Sequence, residues 1–322
     1  MSEAVLNALG GAAGPLEVPW ATPGDPLSDD DLQLALYVAY ELHYRSFAGV
    51  DPGWEWEPSL LEARRRMERA FLASVRDAVA VRGDLEPGEV ARTLFTLEEE
   101  TKPSLAEHLQ ARGSAEELKE FVVHRSAYQL KEADPHTWGI PRLHGAPKAA
   151  MVEIQADEYG SGDPDRVHAT LFARAMDALG LDSSYGAYLD LLPGSTLATV
   201  NLITALGLNR DWRGALAGHL AMFEISSPLP NAKYAKALRR LGYAGEAVEF
   251  FDEHVEADSV HENIAAYDLA QALAVQQPDL TAQVVFGAEA LLELESRLAQ
   301  ALLSAWADGR SSLRAQAGAV VA

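Results

Sequence analysis

Residues 250–273 read FFDEHVEADSVHENIAAYDLAQAL. Within this stretch His254, Asp258 and His261 are separated by steps of four and three. On a helix those steps bring all three side chains to one face. Imidazole, carboxylate and imidazole together form a ligand set for a first-row transition metal. The stretch otherwise reads as a buried helix, and desolvating these three groups is costly unless something compensates. A metal would compensate. A solvated polar stripe fits the same residues, because Asp252, Glu253 and Glu256 surround them.

The chain around this stretch is helical in composition. Its 322 residues are 48% hydrophobic, enough for a sizeable core. Ala and Leu dominate and β-branched residues are sparse, which favours helix over strand. The net charge of −22 speaks against nucleic acid and against anionic membrane surfaces. With no cysteine, thiolate metal sites, iron–sulfur clusters, disulfides and Cys nucleophiles are excluded. Any metal is left to His and carboxylate. The first twenty residues lack a basic segment and a long apolar run, so a cytoplasmic location is expected.

Residues 1–27, rich in Gly, Pro and Ala, read as a mobile or loosely docked arm. Ser28 or Asp29 can cap a helix through LQLALYVAYELHYRSF (32–47). Further helices are expected at about Leu60–Val81, Glu89–Glu99 and Ser104–Arg112, with GDLEPGE (83–89) as a turn. Ser114 and Glu117 form a capping box for the helix expected to carry Glu132. Lys148–Tyr159 is helical up to Gly160, and Asp163 with Pro164 opens a helix bearing His168. Helices then follow at about 196–207, 211–225, 231–241, 245–261, 263–275 and 280–307. There is no internal repeat and no strand series, so the fold class is all-α.

One helix cannot complete a metal site. Glu132, Glu158, His168 and Glu224 lie on other helices, and each alone could be an ordinary polar residue. With His254, Asp258 and His261 they make four carboxylates and three imidazoles, the stoichiometry of two metals. Di-iron and di-manganese carboxylate proteins arrange ligands on several helices in this style. His43, His108, His124, His136, His144 and His219 read as surface or core residues, His219 being the one that could line a pocket. DEYGSGDPD (157–165) lacks the order of a calcium loop, and its Gly-Ser-Gly has no preceding strand.

In order and spacing these residues resemble the haem-oxygenase-like diiron oxidases and oxygenases, the iron-containing redox enzymes, over about residues 115–308. The resemblance implies Glu132, His168, Glu224, His254, Asp258 and His261 as metal ligands. Its N-oxygenase subgroup has a further carboxylate ten residues before the first His, and Glu158 stands in that place. The resemblance implies a haem-oxygenase-like helical bundle at 114–309. It is preceded by the flexible arm at 1–27 and a helical region at 28–113, structural or a dimerisation element, and followed by a tail at 310–322. It also implies two Fe ions cycling between Fe2+ and Fe3+, with O2 as co-substrate and a peroxo-diferric intermediate. The expected product chemistry is N-oxygenation of an amine or amino-acid-derived small molecule. An external electron donor and a homodimer accompany that expectation. Oxidative C–C cleavage or desaturation of an amino or fatty acid is the alternative within enzymes. A helical metal- or small-molecule-binding protein without catalysis is the alternative outside them, and a bound haem fits the carboxylate-rich ligand set less well. A substrate carboxylate would want an arginine, for which Arg125, Arg142, Arg166 and Arg210 are candidates.

Overall fold

Local sequence signals open several of the helices. A computed structural model of the chain describes residues 1–79, 85–99 and 104–315, and for Glu99, Asp258 and Ser259 the backbone alone. The helices are α1 (Ser2–Leu9), α2 (Asp30–Glu41), α3 (Pro58–Ala78), α4 (Val90–Glu99), α5 (Leu105–Ala111), α6 (Ala115–Gln129), the single turn α7 (Asp134–Thr137) and α8 (Ala146–Glu158). They continue as α9 (His168–Ala178), α10 (Gly194–Leu208), α11 (Arg213–Ser226), α12 (Pro228–Arg240), α13 (Glu246–Asn263), α14 (Ala272–Gln276) and α15 (Thr281–Ala307). Among the described residues there is no strand, so the chain is all-α. None of the described helices is long and apolar enough to cross a membrane.

Asp29 caps α2 by accepting from the Leu32 amide, and Ser104 caps α5 by accepting from that of Glu107. Both halves of the Ser114/Glu117 capping box are made at the start of α6. Each satisfies an amide that the first helical turn leaves without a partner.

Several boundaries differ from the sequence expectation. Residues 1–27 read as a loose arm, yet α1 docks there with Val5 and Leu9 buried, and the amino terminus pairs with Asp31 at 2.7 Å. The apolar i, i+4 pair gives this short helix a face to bury. The second helix stops at Glu41 instead of continuing to Phe47, and Ser46 turns the chain with φ 57. α6 stops at Gln129, so Glu132 lies in the buried turn beyond it. Asp163 accepts from the Asp165 amide in a local turn, and α9 begins only at His168. Ala80 and Val81, Gly83 and Asp84 of the expected turn, and residues 316–322 of the tail lie outside the described residues.

The break expected between 261 and 263 is absent. α13 passes directly into a π-helical segment, Ile264–Gln271, and then into α14. With i→i+5 bonding, residues four and five apart stack. Ala265 and Ala266 therefore lie with Leu269 and Ala270 on one buried face.

α11 and α15 form the central pair. A methyl group on Gly218 would overlap the Val284 carbonyl, and one on Gly287 would overlap the Ala215 carbonyl. The two backbones are in contact because neither glycine has a Cβ. This contact fixes α11, which carries Glu224. Gly218→Ala should therefore destabilise the protein by about 3 kcal/mol, the upper part of the range for overpacking a core, and denaturant unfolding will measure it.

Candidate metal centre

The sequence candidates come from five elements. Glu132 sits in the turn after α6, Glu158 is the last residue of α8, and His168 is the first of α9. Glu224 lies within α11, and His254 and His261 lie on α13. All six are buried. Asp258 is on α13 between the two histidines, but its side chain lies outside the described residues.

The six converge in two groups that share one residue. Ligand atoms of Glu132, Glu158, His168 and His254 all lie within 4.8 Å of one another, as do those of Glu158, Glu224 and His261. His168 Nδ1 is 2.8 Å from Glu158 Oε2. His254 Nε2 is 3.5 Å from Glu132 Oε1, and His261 Nδ1 is 3.4 Å from Glu224 Oε2. The rings of His168 and His254 have centroids 4.5 Å apart.

Two outer contacts orient imidazoles. His254 Nδ1 donates to the Phe250 carbonyl at 2.8 Å, which leaves the Nε2 lone pair directed at the cluster. His261 Nε2 lies 3.1 Å from the Asp157 carboxylate, which leaves Nδ1 facing Glu224. This is how metal-ligating histidines are usually held. Asp157 was not singled out from sequence, although it stands beside Glu158 in DEYGSG.

Burial alone would raise the Glu158 carboxyl, but His168, with His254 and His261, holds it down to about 2. Burial opposes charge on His168, and Glu158 outweighs it and raises the imidazole. Burial likewise opposes charge on His261, yet Glu224, Asp157 and Glu158 raise it to about 9. In the absence of metal, protons therefore neutralise this cluster.

The surroundings include residues that sequence did not flag. Tyr128, His136 and Gln155 line the same small void as Glu132, Glu158, Glu224 and His254. Burial, then the charges of Glu132, Glu158 and Glu224, push the Tyr128 phenol well above its ordinary value, so it stays neutral. His136 and His219 meet at 3.1 Å, and burial pushes His136 down to about 4 and His219 well below its ordinary value. They are neutral core histidines beside the cluster. His124 bonds Thr196 and Ser312, and His43, His108 and His144 also have partners remote from the site.

A cavity of about 460 Å³ adjoins the cluster. Phe121, Phe172, Phe223, Tyr234, Phe250 and Phe251 line it. Phe250 packs on the His254 ring at 4.2 Å, and Phe172 packs on Phe250 at 4.9 Å. Phe223 borders both this cavity and the void at the carboxylates. Of the four candidate arginines, Arg125 reaches the cavity, where it donates twice to Glu295 at 2.7 and 2.6 Å. Arg166 pairs with Glu253 on the surface, Arg142 binds the Gly207 and Leu208 carbonyls, and Arg210 is exposed.

Residues 119–296 match a protein family described as iron-containing redox enzyme. Over 163 residues, 50% of this chain, the sequence is 29% identical to nitrosourea synthase of Streptomyces achromogenes subsp. streptozoticus. That match spans 34% of the relative's length.

The proton-neutralised cluster has a pH signature. A raised imidazole stabilises the fold fully below its ordinary value of 6.5, and that contribution is lost as pH rises through about 9. Metal-free protein should lose thermal stability across that window. Metal affinity should rise over it, because metal displaces the same protons. Melting curves with and without Fe2+ will read both.

Proposed function

Since the chain belongs to the iron-containing redox enzyme family over more than half its length, we propose that this oxidoreductase is a non-haem diiron enzyme that uses O2 to oxygenate the nitrogen of an amine or amino-acid-derived substrate. The observation that carries this reading is Glu158, shared between two buried ligand groups.

The donor set fits iron. Carboxylate and imidazole together suit first-row metals of this kind. Glu132 Oε2, Glu158 Oε2 and His168 Nδ1 are buried without a hydrogen bond. The last two approach to 2.8 Å outside hydrogen-bond geometry, as donors to a common ion do. In this reading Glu132, His168 and His254 would hold one ion and Glu224 and His261 the other, with Glu158 within reach of both groups. Asp258 joins them by the resemblance of the H-x-x-x-D-x-x-H run. Two bound ferrous ions would supply electrons for the reduction of O2.

The protein's own part is orientation and exclusion of water. The Phe250 carbonyl and Asp157 present unprotonated imidazole nitrogens to the ions. The rings of Phe172, Phe223 and Phe250 separate the ligands from the cavity that would take the substrate. These aromatic rings would limit loss of oxidising equivalents to water. The relative's name, nitrosourea synthase, is consistent with chemistry at nitrogen.

Ferrous reconstitution should load two irons per chain, and His254→Ala or His261→Ala should reduce this to one or none. Metal analysis decides, and one iron in the unmodified protein would refute the dinuclear reading. Glu158→Ala separates the reactions. Because it removes the buried partner of His168, it should destabilise the metal-free protein by about 3 kcal/mol, and under conditions where the variant is folded it should abolish transfer of oxygen to amines. If stopped-flow O2 consumption and amine oxidation are both unchanged, C–C cleavage or desaturation becomes the better reading.

A further inference from the structure

The family match begins at residue 119, so α2 lies outside it. α2 nevertheless places a fully buried carboxylate behind the turn that carries Glu132. Glu41 is 0% exposed and accepts from Lys131 Nζ at 2.8 Å, and the Lys131 side chain is 1% exposed. The other Glu41 oxygen accepts from the Tyr185 hydroxyl at 2.6 Å. The Lys131 ammonium lies 4.4 and 4.7 Å from the ring centroids of Tyr44 and Tyr37. Lys131 thus has a carboxylate and two aromatic faces around it, deep in the interior.

The residues that follow are held from the opposite side. Ala133 has φ 76, a left-handed conformation that a residue with a Cβ seldom adopts. Its carbonyl accepts from Gln155 Nε2 at 2.7 Å. Tyr159 donates to Asp134 at 2.8 Å. Gln155 lies on α8, the helix that ends in Glu158, and Tyr159 follows it directly. Glu132 stands between these two anchorages, 3.5 Å from His254. A buried ion pair is seldom worth more than apolar residues of the same shape. Its presence here is explained if it fixes geometry.

We propose that the Glu41–Lys131 pair is a positioning device. It clamps the strained turn 130–134 between α2 and α8, so that Glu132 is aimed at the group formed with Glu158, His168 and His254. α2, outside the matched region, is then part of the frame of the metal centre. The proposal rests on the reading of Glu132 as a ligand.

The test uses the full chain and cobalt(II) as a spectroscopic probe. The double variant Glu41→Leu, Lys131→Met removes the pair without stranding a buried charge, whereas Glu41→Gln keeps the shape but leaves the Lys131 ammonium without its carboxylate. The double variant should retain the metal-free thermal midpoint to within a few degrees. Its cobalt affinity at one of two sites should fall at least tenfold, with loss of that site's absorption bands. Glu41→Gln, compared at a temperature where it is folded, should lose affinity in the same bands. Glu132→Ala should lose those bands as well, and adding the double substitution to it should change nothing further. A folded Glu41→Gln or double variant with the unmodified protein's cobalt spectrum and affinity overturns the proposal. So does an equal loss at both sites that tracks a fall in thermal midpoint, since that is general destabilisation. If Glu132→Ala binds cobalt as the unmodified protein does, the reading of Glu132 as a ligand fails first and the proposal fails with it.

Discussion

Six ionisable side chains in an apolar helical interior set the terms for the rest of this structure. Each of Glu132, Glu158, His168, Glu224, His254 and His261 has left water, and that loss has to be offset inside the protein. The offset comes from one another. Carboxylate and imidazole meet at 2.8, 3.4 and 3.5 Å, and the shifts of Glu158, His168 and His261 all favour the charged pair. Such a cluster keeps its shape with protons as counter-charge and can exchange them for metal. Breaking any one pair would leave its partner charged and buried, which is the most expensive state of all.

Holding the cluster together requires rigid supports of different kinds. Glu224 depends on backbone contact between α11 and α15 at Gly218 and Gly287. His254 and His261 depend on the single face of α13. Glu158 and His168 sit at the facing ends of α8 and α9. A carboxylate at a helix C-terminus and a charged imidazole at an N-terminus both oppose the helix dipole. Their 2.8 Å approach across the 160–167 connection offsets that opposition. Glu132 depends on no helix, and its turn is held by contacts to α2 and α8.

The apolar residues around the cluster are arranged for more than core packing. Phe250 covers the His254 imidazole with Phe172 packed behind it, and Phe223 stands between the carboxylates and the larger cavity. Arg125 and Glu295 cancel each other's charge on the cavity wall. The same cavity carries a second ion pair, Lys233 with Glu107 at 3.0 Å, so its walls combine aromatic rings with paired charges.

Much of this was legible in the residues themselves. Helix caps at Asp29 and Ser114, the abundance of Ala and Leu with few β-branched residues, and the four-and-three spacing of His254, Asp258 and His261 are local properties, set by backbone geometry within a few residues. They determined an all-α chain and put polar groups of metal-ligand type on one helix face. Other features are not local. Nothing within a few residues of Ile264 distinguishes π from α bonding. The end of α6 before Glu132, the strain at Ala133 and the start of α9 at His168 depend on contacts made from distant elements. Asp157 and His136 looked like ordinary polar residues because their partners, His261 and His219, lie 104 and 83 positions away. Sequence alone determined which residues could bear charge and which helices would form. Tertiary structure alone decided which charges would meet, because the cost of burying a charge depends on what faces it across the core.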